Sequence, residues 1–367
     1  MLVYIVPLFI ILAGIIQCDL YGSQKAVKPI MGVLFLYFTL MIGLRYGLGG
    51  DTLNYMGDYQ WRVPIGVWVP SIFDHYQPGY AFLCALGKTI SPDFYVFQFI
   101  HVIILNTFLF IFIYKNTESR FLPLLFVYIT SYIYFTTEIL RESLAVMVFL
   151  FNYKNLSNGK WLKYYLGVVL SCMFHISAVF LLVLPLIKWV KFDKRYIYML
   201  FIISVFAIGV EKVFNIIASI AIVGDKLSLY RDMESIGLLA GMMNLLRRAV
   251  FPIAFVLLTK YGMHKEVRFE TPIAMMTLAG IAAFFFPLIF GRVVNYFIIF
   301  FAVSFGDAMA DLLKSSAKVL INNAKFLIIL FVMIYMSNHI MYRAYTRFIP
   351  YYSIFNPVLV DRDNYNK

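Results

Sequence analysis

Apolar residues along this chain come in unbroken blocks divided by short polar turns, and many blocks approach the roughly 20 residues an α-helix needs to cross a bilayer. Blocks at 2–17, 30–46, 94–114, 121–137, 139–153, 164–187, 196–210, 247–261, 271–290, 293–310 and 325–341 predict transmembrane helices. Residues 79–90 and 213–223 are apolar but short, so each predicts a re-entrant or interfacial segment. None of the blocks alternates apolar with polar positions, as the strands of a membrane β-barrel do. The fold class read from this pattern is an all-α polytopic integral membrane protein with about 11–13 transmembrane or re-entrant helices. No internal repeat, low-complexity linker or soluble domain interrupts it. Residues 1–345 therefore read as a single polytopic membrane domain with outer-face loops at 47–78 and 224–246, and 346–367 as a short C-terminal tail.

Composition supports the same reading. Hydrophobic residues make up 62% of the chain and charged residues 14%, with a mean hydropathy of +0.82; a soluble domain carries about a quarter charged residues. The opening "MLVYIVPLFIILAGIIQC" has no positive residue ahead of its apolar core. It therefore lacks the pattern of a signal peptide, and the bulky Gln17 argues against lipoprotein cleavage at Cys18, so a retained first helix is expected. Cys18, Cys84 and Cys172 are scattered through apolar context and form neither a disulfide framework nor a metal spacing.

The net charge of +12 is accounted for by the excess of Lys and Arg in cytoplasmic loops, without nucleic acid. It also suits anionic head groups or a lipid-linked phosphate. Lys25 and Lys28, Lys115 and Arg120, "NYKNLSNGKWLK", "HKEVR" and the Lys314–Lys318–Lys325 stretch mark cytoplasmic turns. That leaves 47–78, 224–246 and the tail outside. "KWVKFDKR" at 188–195 breaks the alternation if 164–187 crosses once; either the helix breaks near His175 and returns, or the rule is violated locally.

Ionisable residues inside or at the ends of spans are costly unless paired or hydrated, so they mark candidate sites. In "GLRYGLGGDTLNY" (43–55), glycines end a span beside Arg45, Asp51 and Tyr55, with Asp58 just beyond. A guanidinium suits bidentate phosphate binding and a carboxylate suits proton acceptance; a helix cap with an Arg–Asp pair holding the loop fits equally well. In "TEILRESLA" (137–145), a continuous helix would place Glu138, Arg141 and Glu142 on one face, either as a neutralised salt bridge or with Arg141 facing a cavity. His175 in "CMFHISAVFLL" is a candidate base or a hydrogen-bonding bridge between helices. In "FPLIFGRVVNYF", Pro287 and Gly291 predict a break just before Arg292, with Tyr296 four residues on, on the same helical face. Arg231, Arg247 and Arg248 add positive charge at the predicted outer loop, with marking the helix entry as the alternative for Arg247 and Arg248. Tyr59, Trp61, Trp68 and Tyr76 there suit sugar stacking or an interfacial belt.

In order, "GLRYGLGGDTLNY", "LRESLA", "FHISAVFLL", "GRVVNYF" and "IPYYS" resemble the Wzy/EpsG-like polysaccharide polymerases of bacterial membranes, over about Gly43 to Ser353. Glu142 departs from the amide common at that position. The resemblance implies a GT-C-like polymerase/ligase architecture in the bacterial inner membrane, with the active site facing outside. It implies an enzyme that joins undecaprenyl-diphosphate-linked oligosaccharide repeat units, donor and acceptor both lipid-linked, without a metal or other cofactor, and with inversion. A flippase and a chain-length regulator of the same pathway are its implied partners, and nucleic acid is not. On this reading Arg45, Arg141 and Arg292 clamp the diphosphate. Asp51 is the first choice of base and His175 the second, while Tyr55, Asp58, Arg247, Arg248 and Tyr296 contact substrate. An O-antigen ligase-like transferase and a lipid-linked oligosaccharide flippase or transporter stay open as alternatives.

Overall fold

The computed structural model describes residues 2–70, 74, 76–202, 238–315 and 348–358. Among these residues the chain is helical, with β-pairing limited to isolated bridges. In chain order the helices used below are α1 (Leu2–Leu20), α2 (Gln24–Gly43), α3 (Thr52–Gln60), α4 (Pro78–Ile90), α5 (Phe94–Asn116), α6 (Phe121–Thr137), α7 (Leu140–Ser157), α8 (Trp161–Phe174), α9 (Leu239–Gly262), α10 (Glu270–Phe285) and α11 (Pro287–Lys314). Among the described residues α1, α2, α5, α9 and α11 are long and apolar enough to cross a membrane; α6, α8 and α10 are shorter apolar helices. This is the polytopic all-α membrane protein that the hydropathy blocks predict. The second half of the 196–210 block, the 213–223 and 325–341 segments, Arg231 and most of the 224–246 loop lie outside the described residues.

The described chain falls into two compact units. One holds Met1–Leu182 and Phe305–Lys367, the other Val183–Ser304. In the first, Phe38 of α2 packs against Phe110 of α5 and against Tyr128 and Tyr132 of α6. A polar seam runs through the same place: Asn106 donates to Thr39 Oγ1 at 2.9 Å, and the Tyr132 hydroxyl donates to Asn106 Oδ1 at 3.0 Å. Such side-chain bonds hold helices together where lipid offers no hydrophobic drive. The buried Asp19 carboxylate accepts the backbone N–H groups of Arg120, Phe121 and Leu122, and so caps the start of α6.

Two boundaries differ from the blocks. The 164–187 block is not one crossing: α8 ends at Phe174, His175 takes extended backbone, and Ile176–Val183 continues as a 3₁₀ stretch. A straight continuation would leave Leu181 roughly 25 Å from Tyr164, yet the Tyr164 hydroxyl donates to the Leu181 carbonyl at 2.6 Å. The chain turns back on itself at His175. The second difference is in "FPLIFGRVV". The break falls between α10 and α11, at Phe286 (φ −132°, ψ 72°), because Pro287 disfavours helical backbone in the residue before it. Gly291 does not break the helix; α11 runs through it and through Arg292.

Candidate active site

Residues 44–51 link α2 to α3 and carry the first arginine. Arg45 is 0% exposed. Its Nη1 donates to the Ile42 carbonyl at 2.8 Å and its Nε to the Leu48 carbonyl at 3.4 Å, so it closes the end of α2. Burial pushes its pKa down to about 10, which still leaves it charged at neutral pH. Gln98 of α5 donates to the carbonyls of Gly43 at 2.8 Å and Arg45 at 3.0 Å. The "IPYYS" segment seals the other side. Tyr46 N–H donates to the Tyr352 carbonyl and Ile354 N–H to the Leu44 carbonyl, each at 3.0 Å, and the Tyr351 hydroxyl reaches the Met41 carbonyl at 2.8 Å. Arg45 thus belongs to the frame of the turn and does not line the cleft described below, while its Nη2 is buried with no hydrogen-bond partner.

The glycines explain how the first two motifs meet. Gly49 has φ +99°, and a Cβ there would lie 3.0 Å from the Thr137 carbonyl oxygen, so the position suits only glycine. Next to it, Gly50 N–H donates to the buried Glu138 carboxylate at 2.8 Å. The turn is therefore pinned to the break between α6 and α7, where Ile139 leaves helical geometry (φ −111°, ψ 52°). That break also undoes the expected single face of Glu138, Arg141 and Glu142. Glu138 bonds to the glycine turn, while the Arg141 guanidinium lies over the Tyr76 ring, its Cζ 4.6 Å from the centroid.

Beside this junction is a cleft of about 520 Å³, lined by Asp51, Tyr55, Asp58, Trp61, Tyr76 and Arg141 among others. Asp51, Tyr55 and Asp58 fall at i, i+4 and i+7, one face from the N-cap of α3 along the helix, which is why they share the cleft. Asp51 is exposed and Trp61 is 88% exposed, while Tyr55 and Tyr76 are buried. The Tyr76 hydroxyl donates to the Asp58 carboxylate. Burial and then that carboxylate push the Tyr76 pKa up. Burial likewise raises Tyr55, against the opposing charge of Arg141. Arg141 sits in the first turn of α7, where the helix dipole adds positive potential, and its Nε is buried with no hydrogen-bond partner. The arrangement offers a cation, two carboxylates and aromatic faces to one ligand.

His175 does not line this cleft. Its Nδ1 lies 2.6 Å from Ser177 Oγ and accepts from Ser177 N–H at 3.2 Å, which closes the turn after α8. In the second unit, Arg247 donates from Nε to the Met243 carbonyl at 3.3 Å and from Nη2 to Asn244 Oδ1. Arg248 lies against Gly280 of α10, where a Cβ would come within 2.8 Å of its backbone. Its guanidinium extends to Gly291, the residue before the exposed Arg292. Tyr296 is fully buried, so it does not share Arg292's exposed side. Among the described residues no group of three or more His, Cys, Asp or Glu is placed to hold a metal ion.

Three side chains around the first site escape a motif-based reading. Besides Gln98, His101 has its Nε2 3.0 Å from the carbonyl of Leu140, the residue before Arg141, and Tyr80 packs edge-on to Tyr76 at 5.1 Å. Gln98 and His101 are polar positions three apart inside the apolar block 94–114, the signal that singles out the other clusters.

No curated protein and no solved structure matches the chain. The sequence profile of the EpsG family matches residues 29–353, a stretch that contains every motif from the glycine turn to "IPYYS". With that match over most of its length, the chain belongs to the EpsG family.

Proposed function

We propose that this protein polymerises oligosaccharide repeat units carried on a lipid diphosphate, at the outer face of the bacterial cytoplasmic membrane, and that the Asp51–Arg141 cleft is where it does so. Membership of the EpsG family supports the general class, a glycosyltransferase-like polysaccharide polymerase in a membrane. The observation that carries the finer reading is the pairing, in one cleft, of a guanidinium whose Nε has no partner with the exposed Asp51 carboxylate.

In the proposed step an acceptor sugar hydroxyl attacks the anomeric carbon of the donor. The carbon–oxygen bond to the diphosphate breaks, the hydroxyl proton passes to Asp51, and the leaving diphosphate departs with its electron pair against Arg141. Arginine suits that task because its charge is permanent and its donors are fixed in a plane. A single displacement inverts the anomeric configuration. Arg292, with Arg248 nearby in its own unit, is proposed as a further anion contact; Arg292→Lys, which keeps charge and loses the planar fork, should then impair polymerisation at normal protein levels.

The test is genetic and chemical together. Deleting this gene alone should cause single lipid-linked repeat units to accumulate, and restoring the wild-type gene should return long chains. Long chains in the deletion strain would remove the polymerase reading. Purified enzyme that transfers the chain only to an acceptor that is not a lipid-linked repeat unit would make it a ligase.

A further inference from the structure

Tyr76 is held from several sides by residues that have no place in the chemistry above. Its N–H donates to Asp74 Oδ1 at 2.9 Å, and its hydroxyl donates to Asp58. The Arg62 guanidinium carbon lies 4.6 Å from its ring centroid, and Arg62 is tied to Asp74 by a 2.5 Å contact from Nη1 to Oδ2. Neither Arg62 nor Asp74 lines the cleft. On the cleft side, the Arg141 Cζ lies the same 4.6 Å from the same ring.

A guanidinium can be fixed by a carboxylate or by an aromatic face, and the two have different consequences. A carboxylate occupies the in-plane N–H donors and cancels the charge. An aromatic face attracts the cation through its quadrupole and leaves the donors at the edge of the plane open. Hydrogen bonding of the Tyr76 hydroxyl to a carboxylate makes the ring more electron-rich, which strengthens that attraction.

We infer that Tyr76 is the positioning residue for Arg141. Asp58, Asp74 and Arg62 fix the ring, the ring holds the guanidinium over its face, and the Nε side of Arg141, which has no hydrogen-bond partner while Tyr55 bonds elsewhere on the guanidinium, is kept for an anionic ligand. This rests on the reading of the cleft as the diphosphate site.

The experiment measures inorganic pyrophosphate binding by calorimetry to the purified full-length protein, and single-turnover kinetics with a lipid-linked repeat unit. Tyr76→Leu should weaken pyrophosphate about tenfold and raise KM for the donor more than it lowers kcat, whereas Tyr76→Phe, which keeps the ring, should stay within about threefold of wild type. In an Arg141→Lys background, where no planar group is left to stack, Tyr76→Leu should add less than about twofold. An equal loss in both backgrounds, or no loss in either, overturns the inference. If Tyr76→Leu does not fold, Arg62→Met combined with Arg141→Lys makes the same cycle from outside the cleft. The parent reading fails separately: pyrophosphate binding undiminished in Arg141→Gln removes the anion site itself, while loss there with none in Tyr76→Leu removes only the positioning role.

Discussion

Asp51 and Arg45 sit six residues apart in the sequence, yet the fold gives them opposite environments, and their substitutions should part accordingly. Asp51→Asn keeps shape and polarity but removes basicity. Single-turnover rates in liposomes should fall by about two to four orders of magnitude while pyrophosphate affinity holds. A fast Asp51→Asn enzyme beside a well-folded but inactive His175→Gln enzyme would move the base role to His175. Arg45→Met should act through folding, because it leaves the buried Ile42 and Leu48 carbonyls without their charged donor. The expected loss is about 2–4 kcal/mol of stability, read as a lowered thermal midpoint in detergent; an unchanged midpoint with lost pyrophosphate binding would make Arg45 a ligand instead. Tyr55 and Tyr76 are both pushed up from the ordinary phenol value near 10. A raised pKa means the proton is held to higher pH, so neither contributes a limb to the pH–rate profile between about pH 6 and 9. The candidacy of Asp51, Tyr55, Asp58, Trp61, Tyr76 and Arg141, which meet in the cleft, is legible from the chain. The burial of Arg45 depends on residues 351–354 lying over it, and nothing near position 45 announces that.

At the level of elements, the breaks matter more than the helices. The glycine turn fits against the α6–α7 break through Gly49 and Gly50, so Gly49→Ala meets both an unfavourable φ and the Thr137 carbonyl. It should cost about 1–3 kcal/mol and disturb the cleft. Gly22→Ala is the control: its φ is also positive, at +76°, but nothing lies within 4 Å. Equal losses of activity in the two variants would show that contact with Thr137 is unimportant. Hydropathy finds the spans because burying some twenty apolar residues in lipid dominates every local preference. It does not find where a helix yields. Reading "TEILRESLA" at constant helical periodicity put Glu138 and Arg141 on one face, and the interruption at Ile139 separates them. At this junction proline is the better signal: Pro287 marks the α10–α11 break to within a residue, whereas Gly291 is absorbed into α11, although Pro7 and Pro29 lie inside α1 and α2.

For the whole molecule, the return at His175 bears on topology. If the chain comes back to the side from which α8 started, the basic 188–195 stretch joins Lys160 and Lys163, and the exception to the charge rule disappears. Single cysteines at Asn158 and Lys191 in a cysteine-free background should then react alike with an impermeant maleimide, and one at Asn54 oppositely. Labelling of Asn54 and Asn158 from one side would overturn the outer-face reaction. The general class was readable because short motifs keep their order; their convergence was not, since it joins residues as far apart as Met41 and Tyr351, 310 positions along the chain. That last pairing has a consequence during synthesis. Arg45 leaves the ribosome well before the strand-like segment that covers it, whose Tyr351 bonds Met41 across 310 positions of the chain. Until then a charged side chain waits beside the bilayer without its lid. Nascent chains halted before residue 351 should therefore leave a cysteine placed at Tyr46 open to maleimide, and release of the full chain should protect it.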